Sequence, residues 1–579
     1  MIASVAAAVI LLAGCVPSPG PTPTATPTAT AAPTPPCEGP DGVGGTVPAG
    51  LGPGDLVAAV DLTAENASSP GFPTDARVWR MLYVTTGVDE NDLQLVCGTV
   101  AAPEDGPQLF GSRGRILNWS HGTVGIAQDC LPSSDPATGI WGPMPGGINT
   151  IAWGTALSKR EGEPEGGLLQ YALDEGWVVA SADYQPDVTY VVGKMEASAI
   201  LDAARAATQL MDEEYPDLAP DDYDAVIWGH SQGGHAALWA GQLAESYLAG
   251  TTPSRPTAGL TLVGVAALAP ASNFITQQGQ PSVAAGDGLA DWEMHKNIGL
   301  DLPDPALQMQ IGPALFSYIF GAWEGLSQGR EPAEDAQFPA YPPTVGPVDL
   351  SDIATETGES TVDTIAELCL RRSSAKPVQE AAEKYADAAE YQMVVPQIWN
   401  LPADYTPGDY FRGGLDATCL STAEAGLIAW CEWMRWNLPG PLGLNPYPKA
   451  PIVDDKPVPL FIAQGIDDDI IHCQPVAGES GEEVPNAANC MSRALYESLE
   501  TGIYCPDGDA LGSLDLVGVR SVGIGGVDSP ASHFSVPGEI SAKSIANEKL
   551  VFAGSPLQKF FTAAFEGNTE RGCRVTMVG

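Results

Sequence analysis

Ala225-Val226-Ile227-Trp228-Gly229-His230-Ser231-Gln232-Gly233-Gly234-His235-Ala236-Ala237-Leu238-Trp239 is the stretch that decides the fold. It opens with a short, fully apolar, β-branched run and ends in an Ala- and Leu-rich helical run. Between them stands Gly-x-Ser-x-Gly. A strand that turns sharply into a helix crowds the backbone around the serine, so small residues are needed beside it. Gly229, Gly233 and Gly234 meet that need. The turn exposes Ser231 and aims the N-terminus of the helix, with its partial positive charge, at any anion forming there.

Working outward, short apolar runs alternate with helical ones, which predicts a largely parallel sheet flanked by helices. Strands are expected at Trp79–Thr85, Leu93–Val100, Arg115–Trp119, Trp177–Ala182, Ala225–Trp228, Leu260–Ala267, Pro459–Ala463 and Val519–Ile524. Helices are expected at Glu196–Met211 and Gly234–Leu248. Continuous runs such as Val178-Val179-Ala180 fit strands buried on both faces. The alternation stops between Ala271 and Ala450. There the pattern predicts helices, Pro305–Gly325 and Pro377–Met393 among them, joined by loops rich in Pro and Gly. This reads as a mostly helical cap inserted between two core strands.

An unassisted serine hydroxyl is a poor nucleophile, so Ser231 needs a base. Six His are available. His230 and His235 flank the serine and are too close in the turn to reach it. His121 belongs to a separate motif, His295 lies in the insertion, and His472 follows the acid candidate. His533, in Asp528-Ser529-Pro530-Ala531-Ser532-His533-Phe534, comes last and fits the chain order Ser, Asp, His. The acid is expected after the strand Pro459–Ala463, where Gly465-x-x-Asp468 points to Asp468, with Asp467 and Asp469 as neighbouring alternatives. Only an ionised carboxylate orients the imidazole and stabilises its charged form. The acidic triplet lacks the ligand spacing of a calcium loop, and neither a metal nor a cofactor is expected. Two backbone N–H groups should form the oxyanion hole. One belongs to Gln232, the other to Thr123 or Gly122 in Ser120-His121-Gly122-Thr123.

These segments together resemble the secretory lipase family, the lipase A-like branch of the α/β-hydrolase fold. The resemblance runs from about Arg77 to Cys573. It rests on Trp119-Ser120-His121-Gly122-Thr123 with Cys130-Leu131-Pro132-Ser133, and on Ala182-Asp183-Tyr184. It also takes in Leu201-Asp202-Ala203-Ala204-Arg205-Ala206-Ala207, the serine turn, Ala463-Gln464-Gly465, and the tail Phe560–Gly567. It implies a triad of Ser231, Asp468 and His533, a helical cap, and hydrolysis of lipid or other hydrophobic carboxylic esters without a cofactor. Two other readings share the residues: acyl transfer to an alcohol, and a non-catalytic ligand-binding surface lipoprotein. In the insertion, Phe316, Ile319, Phe320 and Trp323 share one helical face, and Trp430, Trp433 and Trp436 cluster, as cap core or as substrate channel.

The N-terminal segment reads as a targeting signal. Residues 1–15 hold an apolar run too short to span a bilayer, closed by Leu12-Ala13-Gly14-Cys15, which resembles a bacterial lipobox with Cys15 as the lipidated residue. Residues 16–36 are almost all Pro, Thr and Ala and favour extended polyproline II. As a tether they reach roughly 60 Å. The core is then expected in two parts, 37–270 and 451–579, around the insertion 271–450. Of 11 Cys, all but Cys15 make an even set suited to disulfides in an oxidising compartment, with Cys473–Cys490 and Cys505–Cys573 as candidate pairs. The chain is expected to be exported, either anchored at the outer face of the bacterial membrane or secreted. With 26 Lys+Arg against 72 Asp+Glu it carries −46 at pH 7, which repels phosphate and argues against nucleic acid as a partner. At 44% hydrophobic residues there is ample material for a large core.

Overall fold

The computed structural model describes residues 37, 42–69, 71–88, 91–134, 139–141, 168–274, 311–328, 347–367, 369, 425–466, 468, 470–471, 473–477, 483–520, 533, 536–541, 544–546, 549–551 and 554–578. Outside them fall Cys15, the Pro/Thr-rich stretch, His295, His472, Asp467, Asp469 and the expected helix Pro377–Met393. From Pro36 onward the chain packs as one compact unit.

Its centre is a ten-stranded sheet. In chain order the strands are β1 Leu56–Asp61, β2 Ala76–Thr86, β3 Leu93–Pro103, β4 Arg113–Ser120, β5 Val178–Ala182, β6 Asp222–His230, β7 Gly259–Leu268, β8 Leu460–Gly465, β9 Ser513–Val519 and β10 Gly572–Val578. Across the sheet they lie β1-β2-β3-β5-β4-β6-β7-β8-β9-β10. The first three pair antiparallel, and β3 meets β5 antiparallel. From β5 to β10 every pairing is parallel. This is the expected α/β-hydrolase architecture. The apolar runs of β5 and β6 are buried on both faces, as central parallel strands require.

Helices cover both faces. The long helix α1, Gly193–Glu214, is buried from Gly193 to Met211, and its many alanines let it lie close against its neighbours. Next to it runs α2, Gln232–Gly250, which starts two residues before the expected Gly234. Between β7 and β8 the described elements are the helices α3 Ile311–Ser327, α4 Glu356–Ala366 and α5 Ala425–Asn437, short 3₁₀ turns, and a small hairpin of Ile452–Val453 with Lys456–Pro457 just before β8. Their apolar faces are continuous with the main core. Phe320, Trp323, Trp430 and Trp433 are buried, with ring centroids 5.1 Å apart for Phe320–Trp430 and 5.8 Å for Trp323–Trp433. Each such side chain contributes about 1.5–3 kcal/mol of transfer free energy. Beyond β8 come α6, Met491–Leu499, α7, Val536–Ser541, and α8, Pro556–Phe565.

The late strand is Ser513–Val519, beginning six residues before the run expected at Val519–Ile524; of that run only Val519, the strand's last residue, and Arg520 are among the described residues. Asp515 lies in its middle and pairs with Arg574 of β10 at 2.6 Å. That interior charge hides the run. Disulfides join Cys37–Cys97, Cys130–Cys369 and, as expected, Cys505–Cys573. Cys473 is also disulfide-bonded, and its backbone sits opposite Cys490 in a two-stranded ladder.

The parallel register aligns the carboxyl ends of the strands. Ser120 pairs with Gly229, His230 with Leu268, and Gly465 with Val519. In open α/β sheets this edge is where loops converge to build sites.

Candidate active site

Ser231 stands alone between β6 and α2 at φ 60°, ψ −121°, a left-handed conformation that costs a non-glycine residue about 1–3 kcal/mol. Its N–H donates to Leu268 O at 2.9 Å, the last residue of the next strand. The expected crowding is present. A Cβ on Gly229 would come within 2.6 Å of Ser120 O, and one on Gly233 would overlap that same carbonyl. The serine turn and the loop after β4 therefore touch backbone to backbone, which only glycine permits.

The structure brings His533 and Asp468 to this serine. His533 Nε2 lies 2.9 Å from Ser231 Oγ, and His533 Nδ1 lies 2.9 Å from Asp468 Oδ2. Both His533 and Asp468 are buried. All four acceptor directions of the Asp468 carboxylate are occupied. Oδ1 accepts Ile470 N–H at 3.0 Å and Ile471 N–H at 2.8 Å, while Oδ2 accepts Gln464 Nε2–H at 2.7 Å besides His533. Such bonds favour the ionised form. The carboxylate in turn fixes Nδ1 as the protonated nitrogen of a neutral His533, leaving Nε2 as the lone pair facing the hydroxyl.

His230 and His235 do other work. His230 Nε2 donates to His533 O at 2.9 Å, and burial together with the neighbouring His533 pushes its pKa well below the usual histidine value. His235 faces Glu196 and Asn437. His121 braces the loop after β4. Its Nδ1 is 2.7 Å from Gly122 O, its Nε2 3.2 Å from Asp183 O, and its ring stacks on Tyr184 at 4.2 Å. Burial lowers its pKa, so it stays neutral. Thr123 is buried, and its hydroxyl is 2.7 Å from Tyr190 OH. Gln232 opens α2, its side chain buried and its Nε2–H given to Glu196 at 2.9 Å.

A narrow, partly open cavity lies at Ser231 and Gln232. Its walls are almost wholly apolar. Tyr190 and Val191 form one side, Ala271 and Phe274 another, Leu315, Phe316 and Ile319 of α3 a third, and Ile470 with Ile471 the last. The aromatic face of α3 thus divides: Phe316 and Ile319 line the cavity, while Phe320 and Trp323 pack on Trp430. The loop residues that hold Asp468 through their N–H groups also wall the cavity with their side chains.

Glu196, Gln464 and Ile470/Ile471 escaped sequence reasoning. A Glu in an Ala-rich helix reads as solvated surface, and only tertiary contact shows it buried. Gln464, next to Gly465 in the strand before Asp468, carried the one available signal: a polar side chain inside a wholly buried strand needs a partner.

A family model for secretory lipases matches residues 161–281. Lipase 4 of Candida albicans is 36% identical over 98 residues, 17% of this chain and 21% of that protein. Lipase A of Moesziomyces aphidis is 28% identical over 181 residues, 31% of this chain and 33% of its own length. The chain thus spans between about a fifth and a third of these relatives. An X-ray structure of Candida antarctica lipase A in its closed state aligns with a TM-score of 0.51 at 16% identity, covering 91% of this chain and 86% of that one. At that identity the likeness is one of fold.

Proposed function

We propose that the chain is a secretory lipase A-like serine carboxylic-ester hydrolase acting on hydrophobic esters through an acyl-enzyme, a reading supported by its similarity to secretory lipases. The observation that carries this is the hydrogen-bonded series Asp468–His533–Ser231 at the mouth of an apolar cavity. Ser231 Oγ attacks the ester carbonyl carbon while His533 Nε2 takes its proton. The backbone N–H groups of Gln232 and Thr123 receive the oxyanion. The C–O bond to the alcohol then breaks, and His533 returns the proton to the leaving oxygen. Water, deprotonated by the same nitrogen, attacks the acyl-enzyme and frees Ser231. Asp468 holds the ring and stabilises its cationic form throughout.

In this reading residues 271–450 form the cap that supplies the apolar walls, and 37–270 with 451–579 form the core. The disulfides Cys37–Cys97, Cys130–Cys369 and Cys505–Cys573, with Cys431 and Cys473 also disulfide-bonded, suit an exported protein. Cys15 carries the lipid anchor, and 16–36 the tether to the outer face of the membrane. Cys15→Ser should move the protein from the membrane fraction to the medium.

The deciding experiment is hydrolysis of p-nitrophenyl esters from acetyl to palmitoyl by wild type and Ser231→Ala. The expected result is a loss of roughly 10⁴-fold or more in kcat with the fold intact. Equal rates would remove Ser231 from the mechanism. Ester formed with added glycerol in preference to free acid would make the chain an acyltransferase.

A further inference from the structure

Glu196 lies in the first turn of α1 with no exposure to solvent, and its carboxylate is wholly engaged. Oε1 accepts Val191 N–H and Gln232 Nε2–H, each at 2.9 Å. Oε2 lies 2.8 Å from His235 Nδ1. On the far side of that ring, His235 Nε2 lies 2.8 Å from Asn437 O, which also accepts Trp239 Nε1–H at 3.0 Å. Asn437 is the last residue of α5, and its Oδ1 accepts Gly193 N–H at 3.1 Å.

Both ring nitrogens of His235 face oxygen atoms, Oε2 of Glu196 on one side and the Asn437 carbonyl on the other. The arrangement is a buried histidine–carboxylate pair. Apolar residues of similar volume would serve a core at least as well, so the pair calls for another explanation.

Each group it holds borders the cavity or the serine turn. Val191 lines the cavity at φ +48°, a conformation rare for a β-branched residue, and its N–H bond to Glu196 sustains it. Gln232 follows the nucleophile, and His235 stands in the first turn of α2. Through Asn437 the same pair ties the end of α5 to that turn.

We propose that Glu196 is a positioning residue for ester hydrolysis, a role that rests on the function proposed above. With His235 it sets the Gln232 amide plane and the Val191 wall against Ser231, and it couples the docking of α5 to that geometry. Misplacement by about 1 Å costs on the order of 10²-fold in rate.

Glu196→Ala, Glu196→Gln and Gln232→Met test this in the full chain. A fluorophosphonate titration counts competent Ser231, and kcat per titrated site and KM are read with p-nitrophenyl butyrate. Glu196→Ala should lose roughly 30-fold or more in kcat per titrated site, with KM moved far less. Glu196→Gln keeps every bond: its Oε1 accepts from Val191 and Gln232, and its Nε2–H donates to Nδ1 of a neutral His235. It should therefore stay within about threefold of wild type. Should Glu196→Ala fail to fold, Gln232→Met severs one arm alone and should lose about tenfold. The role is overturned if kcat per titrated site in Glu196→Ala, or in Gln232→Met where it must stand in, matches wild type. It is equally overturned if Glu196→Gln falls as far as Glu196→Ala. A wild type that neither labels nor turns over would sink the hydrolase reading, and this role with it.

Discussion

His230 donates its Nε2–H to the backbone carbonyl of His533 at 2.9 Å, with the two rings 4.7 Å apart. The residue just before Ser231 thus bonds the backbone of His533, across 303 positions of chain. Burial keeps His230 neutral, so this hydrogen bond persists over the working pH range. His230→Ala leaves a buried carbonyl without its donor, a loss of about 1–3 kcal/mol in stability. On the proposed mechanism we expect about a tenfold fall in kcat, because His533 loses an anchor while Ser231 keeps its place. Turnover at saturating ester and a thermal melt check both effects; an unchanged kcat would mean His533 is held by other contacts.

Asp468→Asn should be more damaging than its small change in shape suggests. Asparagine keeps an oxygen for Ile470 and Ile471 N–H, but its NH₂ then points at both Gln464 Nε2 and His533 Nδ1, where Oδ2 accepts. Donor meets donor at one place, and His533 is driven to the wrong tautomer at the other. A fall of roughly 10⁴-fold in kcat is expected. Steady-state kinetics on a short-chain ester measure it.

The strands that sequence reads well, β2 to β8, are long or continuous apolar runs, where burial on both faces leaves no room for another interpretation. Those it loses are the ones whose pattern is set by a neighbour. In β9 the Asp515–Arg574 pair puts a charge mid-strand. The edge strands β1 and β10 are only partly buried, so their apolar residues do not stand out. The site divides along the same line. Ser231, Asp468 and His533 are legible because strand ends, glycines and chain order constrain them locally. The Glu196–His235 pair and the His230–His533 bond depend on which loops meet in space, and no local pattern encodes that.

Asp183 should leave a signature in the pH dependence of stability. Burial raises its pKa from the ordinary 3.8 to about 6, against the opposing pull of Ser133 and Arg80. The folded state therefore holds the proton more tightly than the unfolded chain. Its contribution is fully present below pH 3.8 and is lost as pH rises through 6. Asp183→Asn abolishes this ionisation and keeps an oxygen for Ser133 N–H. Relative to that variant, wild type should lose on the order of 3 kcal/mol between about pH 4 and pH 7. Urea unfolding of both proteins across that range reads the difference, while Asp202, also raised to about 6, contributes equally to each.

The disulfides should differ in worth according to the loops they close. Cys130–Cys369 spans 239 residues and joins the loop after β4 to the chain just beyond α4, whereas Cys505–Cys573 spans 68. Loop-closure entropy makes the former worth about 1 kcal/mol more. Replacing each pair by Ser and comparing Tm by calorimetry tests the order. The reverse order would mean that strain or residual structure outweighs the loop term.

The cavity walls predict how acyl length is selected. Ile319 and Phe316 face the cavity from α3, whereas Phe320 and Trp323, on the same helix, pack on Trp430. Ile319→Trp should block the partly open cavity beside Ser231, because position 319 faces the cavity and not the packed face. Overpacking is costly only where the site lacks room. Rates on acetyl esters should then stay within about threefold, while kcat/KM for octanoyl and longer esters falls tenfold or more. Phe316→Ala should act in the opposite sense and favour the longer chains. Parallel losses on short and long esters by Ile319→Trp would mean that the acyl chain leaves Ser231 by another route, and that these walls receive the alcohol.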